Sequence, residues 1–302
     1  MKSLREVIVE AEKKKIAIGH FNVSELAAFR AVTKAARDLG VPVIIGTSEG
    51  EREFISLHEA VSMVRDLREK HGQPVYLNAD HTYSVEKVKE AVEAGYDAVI
   101  FDGVKLSLEE NISKTKEVVA FVKETAPYVL VEGEIGNVGS GSAIRKEIPA
   151  GAAIRPEDLT TPEEAARFVK ETGVDLLAPA VGNIHGMMLG SRKQEVGSRG
   201  IASGYDYPLD IDRIKAIREA AGVPLVLHGA SGNTDEELRA AIEEGVAIVH
   251  ISIEIRAAWR KGVEESLKEQ PDEVAPYKLL SEAEEKIYEI VLAKLRLFNR
   301  LP

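Results

Sequence analysis

PVYLNADH, Pro74–His81, is the stretch whose reading decides the fold. A mostly apolar, strand-like body runs straight into an acid and an imidazole, Asp80 and His81. An ionisable pair at the end of a buried strand is costly unless the site uses it. The same design recurs along the chain. DAVIFD (97–102) ends on Asp102, and YVLVEGE (128–134) ends on Glu134 with Glu132 two positions earlier. DLLAPAVGNIH (175–185) reaches His185, PLVLH (224–228) ends on His228 and AIVH (247–250) ends on His250. Apolar strand bodies with polar ends, repeated in this way, collect chemically active side chains onto one rim.

Between these strands the apolar periodicity is helical. Helices are expected over Ser3–Lys15, from Ser24 as N-cap to Leu39, and over Leu57–Lys70. Others follow from Ser84 to Ala94, Leu108–Thr125, 162–172, Asp210–Ala221 and Thr234–Glu244, with a long amphipathic segment near Ser281–Phe298 at the end. Strands are expected at 16–21, 41–48, 74–81, 97–102, 128–134, 175–185, 223–228 and 246–251. Repeated βα units of this number close into a single (β/α)8 TIM barrel, here with additional C-terminal helices. No G-x-G-x-x-G follows the first strand, and the polar strand ends are not gathered at one switch point, which disfavours an open doubly wound sheet. No linker is evident, so residues 1–302 are expected to form one domain. Two long Gly-rich stretches, about 136–157 and 186–206, read as active-site loops.

In such a barrel the C-terminal strand ends carry the chemistry. His81, His185 and His228 would converge there, and three imidazoles with one open position make a common catalytic zinc arrangement. Asp80 and His81 face opposite ways in a regular strand, but a turning strand end can bring both into one cavity. Asp80 is alternatively a cap for the helix near Ser84, a role that Ser84 can fill itself. Asp102 and Glu134 are partners behind the ligands, an alternate metal position, or plain salt-bridge acids, and for Glu132 a place behind the ligands is as strong a reading as a direct functional one. His20 could belong to rim or core; His58 and His71 sit in surface contexts. Gly229, Ser231 and Gly232 lie between a strand and a helix, where backbone N–H groups and a hydroxyl suit a phosphate.

Several stretches then resemble a known family. LNADHTYSVEKVKEAVEAGYDAVIFDG (77–103), LEENISKTKEVV (108–119), VEGEIG (131–136), GVDLLAPAVGNIHG (173–186) and PLVLHGASG (224–232) are similar to the class II, metal-dependent fructose-bisphosphate aldolases, including tagatose-bisphosphate aldolases. The resemblance implies reversible cleavage of a ketose bisphosphate, fructose 1,6-bisphosphate first, to dihydroxyacetone phosphate and glyceraldehyde 3-phosphate. It implies Zn2+ on His81, His185 and His228, proton transfer by Asp80, phosphate contacts from Gly186, Gly229 and Ser231, and Asp102 and Glu134 near the metal. A monovalent cation near the phosphate and a homodimer or homotetramer are also implied. Tagatose-bisphosphate or another phosphorylated ketose, and a non-catalytic sugar-phosphate-binding barrel, are the alternatives.

Two departures stand out. After the last strand the family usually carries Asn-x-Asp/Ala-Thr, whereas this chain has His250, Ile251, Ser252 and Ile253. His250 and Ser252 are then the substrate-binding candidates, His250 as a replacement donor or an additional cation. Family members also carry a glutamate in the first long loop. The corresponding positions are Gly141 and Ser142, and Glu147 is the nearest acid able to serve as a catalytic proton shuttle. Arg145, Lys146, Arg192 and Lys193 on the two loops are candidates to close over phosphate.

Composition excludes other classes. A net charge of −11 without a Lys/Arg-rich run points away from nucleic acid or an anionic membrane as partner, so an anionic sugar must be held by a local site. The absence of cysteine rules out disulfides, thiolate ligands and a thiol nucleophile. The charged amphipathic N-terminus lacks a signal-peptide core, and a cytoplasmic location is expected.

Overall fold

A computed structural model describes residues 1–139, 155, 157–185 and 208–302, together with the backbone of 144–145 and 187–188. Eight parallel strands close into a barrel: β1 (Ile18–Asn22), β2 (Val43–Thr47), β3 (Val75–Thr82), β4 (Ala98–Phe101), β5 (Leu130–Ile135), β6 (Leu176–Pro179), β7 (Leu225–Leu227) and β8 (Val246–Ile251). β8 pairs back onto β1, with His250 opposite His20, and completes the ring. A further two-stranded ladder, Ile144 with Met187 and Arg145 with Met188, joins the two long loops.

Period-two alternation decides what the barrel encloses. Ile18, Ile44, Tyr76, Leu130, Leu176, Val226 and Ile248 form the lower filling. Helix α1 (Leu4–Lys14) plugs the bottom of the barrel with Leu4, Val7, Ile8 and Ala11. The residues between these on each strand, such as Phe21, Ile45, Leu77 and Val249, pack outward beneath the helices. One step above the apolar filling, the inward positions become polar: His20, Asn78, Glu132, His228 and His250 are all buried. Bulk hydrophobicity thus secures the lower barrel, and the upper barrel is given to chemistry.

Most of the outer layer matches the sequence reading: α2 (Leu26–Leu39), α4 (Leu57–His71), α5 (Val85–Ala94), α6 (Leu108–Thr125), α7 (Pro162–Thr172), α8 (Ile211–Ala221) and α9 (Asp235–Glu243). Past β8 the chain continues as α10 (Ile253–Glu269), α11 (Pro276–Leu279) and α12 (Ser281–Phe298). Three details differ. Glu25 rather than Ser24 caps α2, its carboxylate accepting from the Ala27 and Ala28 N–H groups. β6 stops at Pro179, because the Asn183 side chain takes the Val181 N–H and Gly182 turns through φ 98°. The seven-residue α3 (Glu49–Ile55) was not expected; its first turn is held by a reciprocal Ser48–Glu51 capping box.

Gly46 is required by the polar layer. A Cβ built there would lie 2.0 Å from His20 Cε1, inside a ring that is fully buried and stacked on His250. Gly46→Ala is therefore expected to destabilise the fold by about 1–3 kcal/mol, the usual cost of overpacking. Urea unfolding followed by circular dichroism measures it, and a midpoint equal to wild type contradicts the packing of this layer.

Candidate active site

The site forms where β3 leaves its ladder. Tyr76, Asn78 and Asp80 face inward by alternation, so His81 would regularly face out. Instead, pairing with β4 runs Ala79 opposite Val99 and resumes with Thr82 opposite Phe101, so Asp80 and His81 form a bulge. His81 adopts φ 38°, a left-handed conformation unfavourable for a residue with a side chain. This bend turns its ring into the barrel mouth, with Nε2 4.0 Å from Asp80 Oδ1. Asp80 does not cap α5, since Ser84 Oγ accepts from the Lys87 N–H.

Three imidazoles meet above this bend. His81 and His185 ring centroids are 4.9 Å apart, His81 and His228 5.0 Å, and His185 and His228 5.7 Å. One ring nitrogen of each lies within 4.8 Å of one nitrogen of each other ring. Each ring has a partner on its other nitrogen. His81 Nδ1 donates to Asp102 Oδ2 at 2.9 Å, His185 Nδ1 to the Gly139 carbonyl at 3.0 Å, and His228 Nε2 to Glu132 Oε1 at 2.8 Å. The remaining nitrogens, His81 Nε2, His185 Nε2 and His228 Nδ1, are left for a ligand, and His228 Nδ1 is buried without a partner. Carboxylate- or carbonyl-backed imidazoles with free nitrogens are how proteins orient histidines for a divalent metal.

The surrounding carboxylates fit the same picture. Glu134 Oε2 approaches His81 Nδ1 at 3.5 Å and His228 Nδ1 at 3.8 Å, and it is buried without a hydrogen bond. His81, Asp102 and Glu134 form a second group of closely spaced donor atoms. Burial, reinforced by the Asp102 carboxylate, pushes Glu134 up to about 7. Burial also raises Glu132, against its hydrogen bond from His228. Asp80 goes the other way: burial opposes ionisation, yet His81, His20, His228 and the Asn22 amide hold its carboxyl well below the usual range. Asn22 Nδ2 donates to Asp80 Oδ2 at 2.8 Å, and Asp80 Oδ1 is left without a hydrogen-bond partner.

His20, left unassigned from sequence, belongs to this layer. It stacks on His250 at 3.5 Å with planes 2° apart, and His250 stacks on His228 at 4.1 Å. Burial and the neighbouring rings drive His250 well below its ordinary value. His250 therefore stands as a neutral group 3.6 Å from Asp80 Oδ1, which argues against its use as an additional cation. His58 and His71 are exposed, as expected.

A cavity of about 230 Å³ opens over these groups. Gly229, Ser231 and Ser252 line one side, and the Ser252 N–H donates to Ser231 Oγ at 3.4 Å. Gly229 sits at φ 60°, where a Cβ would lie 2.5 Å from the Ile184 carbonyl oxygen, so no larger residue fits. Sequence reasoning missed Arg256 and Lys105, two cations lining the mouth. It also missed Glu51, which bonds Arg256 Nη2 at 2.5 Å and Asn22 Nδ2 at 3.0 Å. The Ser48–Glu51 capping pattern was the available signal for that helix. Glu147, Gly186, Lys146, Arg192 and Lys193 lie outside the described residues, as does the side chain of Arg145.

A (β/α)8 barrel whose mouth joins three backed imidazoles to a buried, ionised acid is the frame of a metal-dependent enzyme. The family model for class II fructose-bisphosphate aldolase matches residues 2–301, and the chain belongs to that family of carbon–carbon lyases. It is 33% identical over 300 residues to a fructose-bisphosphate aldolase of Geobacillus stearothermophilus, covering 98% of this chain and 96% of the relative. It is 36% identical over 296 residues to a 6-phospho-5-dehydro-2-deoxy-D-gluconate aldolase of Shouchella clausii, covering 97% and 92%. Among solved structures, the YdjI aldolase of Escherichia coli K12 superposes with a TM-score of 0.77 at 30% identity, covering 99% and 97%. No helix among the described residues is long and apolar enough to cross a membrane.

Proposed function

We propose that this aldolase reversibly cleaves a ketose bisphosphate, fructose 1,6-bisphosphate first, to dihydroxyacetone phosphate and glyceraldehyde 3-phosphate, using zinc. The observation that carries the reading is the convergence of three free imidazole nitrogens beside the ionised Asp80. The donor set suits zinc: three imidazole nitrogens, one of them buried without a hydrogen bond, leave room for a substrate oxygen. His81, His185 and His228 would hold the ion, and Asp102 or Glu134 offers an alternate position. When bound, the ion supplies a Lewis acid for the substrate's carbonyl oxygen.

The chain's own residues do the rest. Asp80 Oδ1 takes the proton of the C4 hydroxyl on cleavage and returns it on condensation. Asn22 fixes the other carboxylate oxygen, so the acceptor atom is presented in one orientation. Gly229, Ser231 and Ser252 line the side that suits a phosphate, with Gly186 and a monovalent cation in the same proposal. His250 offers a neutral hydrogen bond beside Asp80, and Glu147 is proposed for the C3 proton. Arg256 and Lys105 supply local positive charge against the overall −11. A single domain over 1–302, a homodimer or homotetramer and a cytoplasmic, glycolytic setting complete the proposal.

The second reading keeps the metal and changes the sugar. His250, Ser252 and Ile253 favour it, because they alter the wall beside the acid, and one relative is named as an aldolase for a different phosphorylated sugar. A non-catalytic barrel is disfavoured, since binding alone needs no ionised acid beside the imidazoles. The test is a panel of ketose mono- and bisphosphates assayed with EDTA and zinc add-back. Cleavage of fructose 1,6-bisphosphate that EDTA abolishes and zinc restores is expected. Turnover of another ketose alone selects the second reading, and turnover unaffected by EDTA rejects both.

A further inference from the structure

We propose that Arg52 is a positioning residue whose buried guanidinium holds the bent peptide between Asp80 and His81, so that the proton carrier and a metal ligand share one cavity. The inference rests on the roles proposed for those two residues. The bend needs an external hold. At the bulge, neither Asp80 nor His81 is paired with β4, and His81 sits in left-handed backbone that a residue with a Cβ leaves when it can.

Arg52 supplies the hold from both sides of His81. Its Nη1 donates to the Asp80 carbonyl at 3.0 Å, immediately before the bend, and its Nη2 donates to Thr82 Oγ1 at 2.9 Å, immediately after it. Nη1 also donates to the Thr47 carbonyl, which ties the bend to the end of β2. Only 7% of Arg52 is exposed, so the cation has been taken out of water for these contacts. A planar fork is what the geometry asks for: two nitrogens reach acceptors on either side of one residue, which a lysine ammonium cannot do. The preceding residue acts on the same acid. Glu51 accepts from Asn22 Nδ2, and that amide also donates to Asp80 Oδ2. The first turn of α3 therefore fixes the carbonyl of Asp80 directly and its carboxylate through one amide.

Arg52→Met, Arg52→Lys and Thr82→Val test the proposal. Three quantities are read: zinc affinity by competition with a chromophoric chelator, the visible spectrum of the cobalt-substituted protein, and kcat and KM separately. Arg52→Met is expected to weaken zinc binding roughly 10- to 100-fold, the usual effect of removing a group that orients a metal ligand. It should change the cobalt spectrum and lower kcat while KM stays near wild type. Arg52→Lys should recover part of both losses, and Thr82→Val should show a smaller loss of the same kind. If Arg52→Met unfolds, the two milder variants decide. Variants that lose thermal stability yet keep wild-type zinc affinity and cobalt spectrum overturn the proposal, leaving Arg52 a structural residue. Zinc binding left unchanged by His228→Ala in a chain that keeps Arg52 instead overturns the metal site, an outcome separate from any Arg52 result.

Discussion

Asp80→Asn should leave metal content and KM close to wild type and lower kcat by about 10²- to 10⁴-fold, the range associated with a positioned proton-transfer group. The substitution is nearly isosteric, and its carbonyl oxygen can still accept the hydrogen bond that Asn22 now gives to Oδ2. What changes is the other position, where a carboxylate oxygen with no hydrogen-bond partner becomes an amide N–H₂ unable to take a proton. In the metal-free chain burial opposes ionisation of Asp80, but the neighbouring imidazoles and the Asn22 amide lower its pKa and favour the carboxylate that can take a proton. Steady-state kinetics on the ketose that the wild type prefers, with zinc content measured in parallel, checks this. An Asp80→Asn protein with wild-type kcat would remove the acid from the mechanism.

The second large effect is expected at His228. Replacing it with Ala should abolish high-affinity zinc binding and lower turnover by about 10³-fold or more, the rate equivalent of several kcal/mol of lost Lewis-acid stabilisation. Glu132, fully buried, would also lose the hydrogen bond it accepts from His228, so Glu132→Gln combined with His228→Ala separates fold damage from metal loss. Proton bookkeeping gives an independent check. In the metal-free chain burial opposes protonation of His81, but Asp80, Asp102 and Glu134 raise it well above its ordinary value. Glu134 and Glu132 raise His228 in the same way. Both rings must shed protons to bind an ion, so zinc affinity should fall as pH falls. The sign for stability is opposite. Protonated His81 and His228 stabilise the metal-free fold fully below the unfolded histidine value of about 6.5, and that contribution is lost as pH rises through their folded-state values. Zinc titration in weak buffer should release protons; an unchanged pH would contradict the ligand assignment.

Much of this site is legible in the sequence. Strand bodies such as AVIF (98–101) and PLVL (224–227) are continuous apolar runs because a parallel barrel buries both faces, and the polar residue that ends each run marks the rim. Capped helices mark their own limits, as at Ser84, whose side chain accepts from the Lys87 N–H at the start of α5. His81 was harder. Alternation alone points it away from the cavity, and only a bulge held by Arg52 reverses that; the holding residue lies far away in sequence. α3 was overlooked because EGEREFI has no apolar stripe: its buried side chains are Glu51 and Arg52, recruited for polar contacts. The apolar pattern runs past the end of β6 because Ala180, Val181 and Ile184 are buried beyond the ladder rather than within it. His20 gave no signal of its own, since its stacking on His250 depends on the closure of β1 onto β8 and on the missing Cβ of Gly46.

The most direct measurement is anomalous diffraction at the zinc edge from zinc-loaded crystals of this chain. The expected map has one strong peak within bonding distance, about 2.0–2.1 Å, of His81 Nε2, His185 Nε2 and His228 Nδ1, with Asp80 beside the open position. A map with no peak there, or with the three rings turned toward separate surroundings, would contradict the proposed metal centre and the aldol cleavage built upon it.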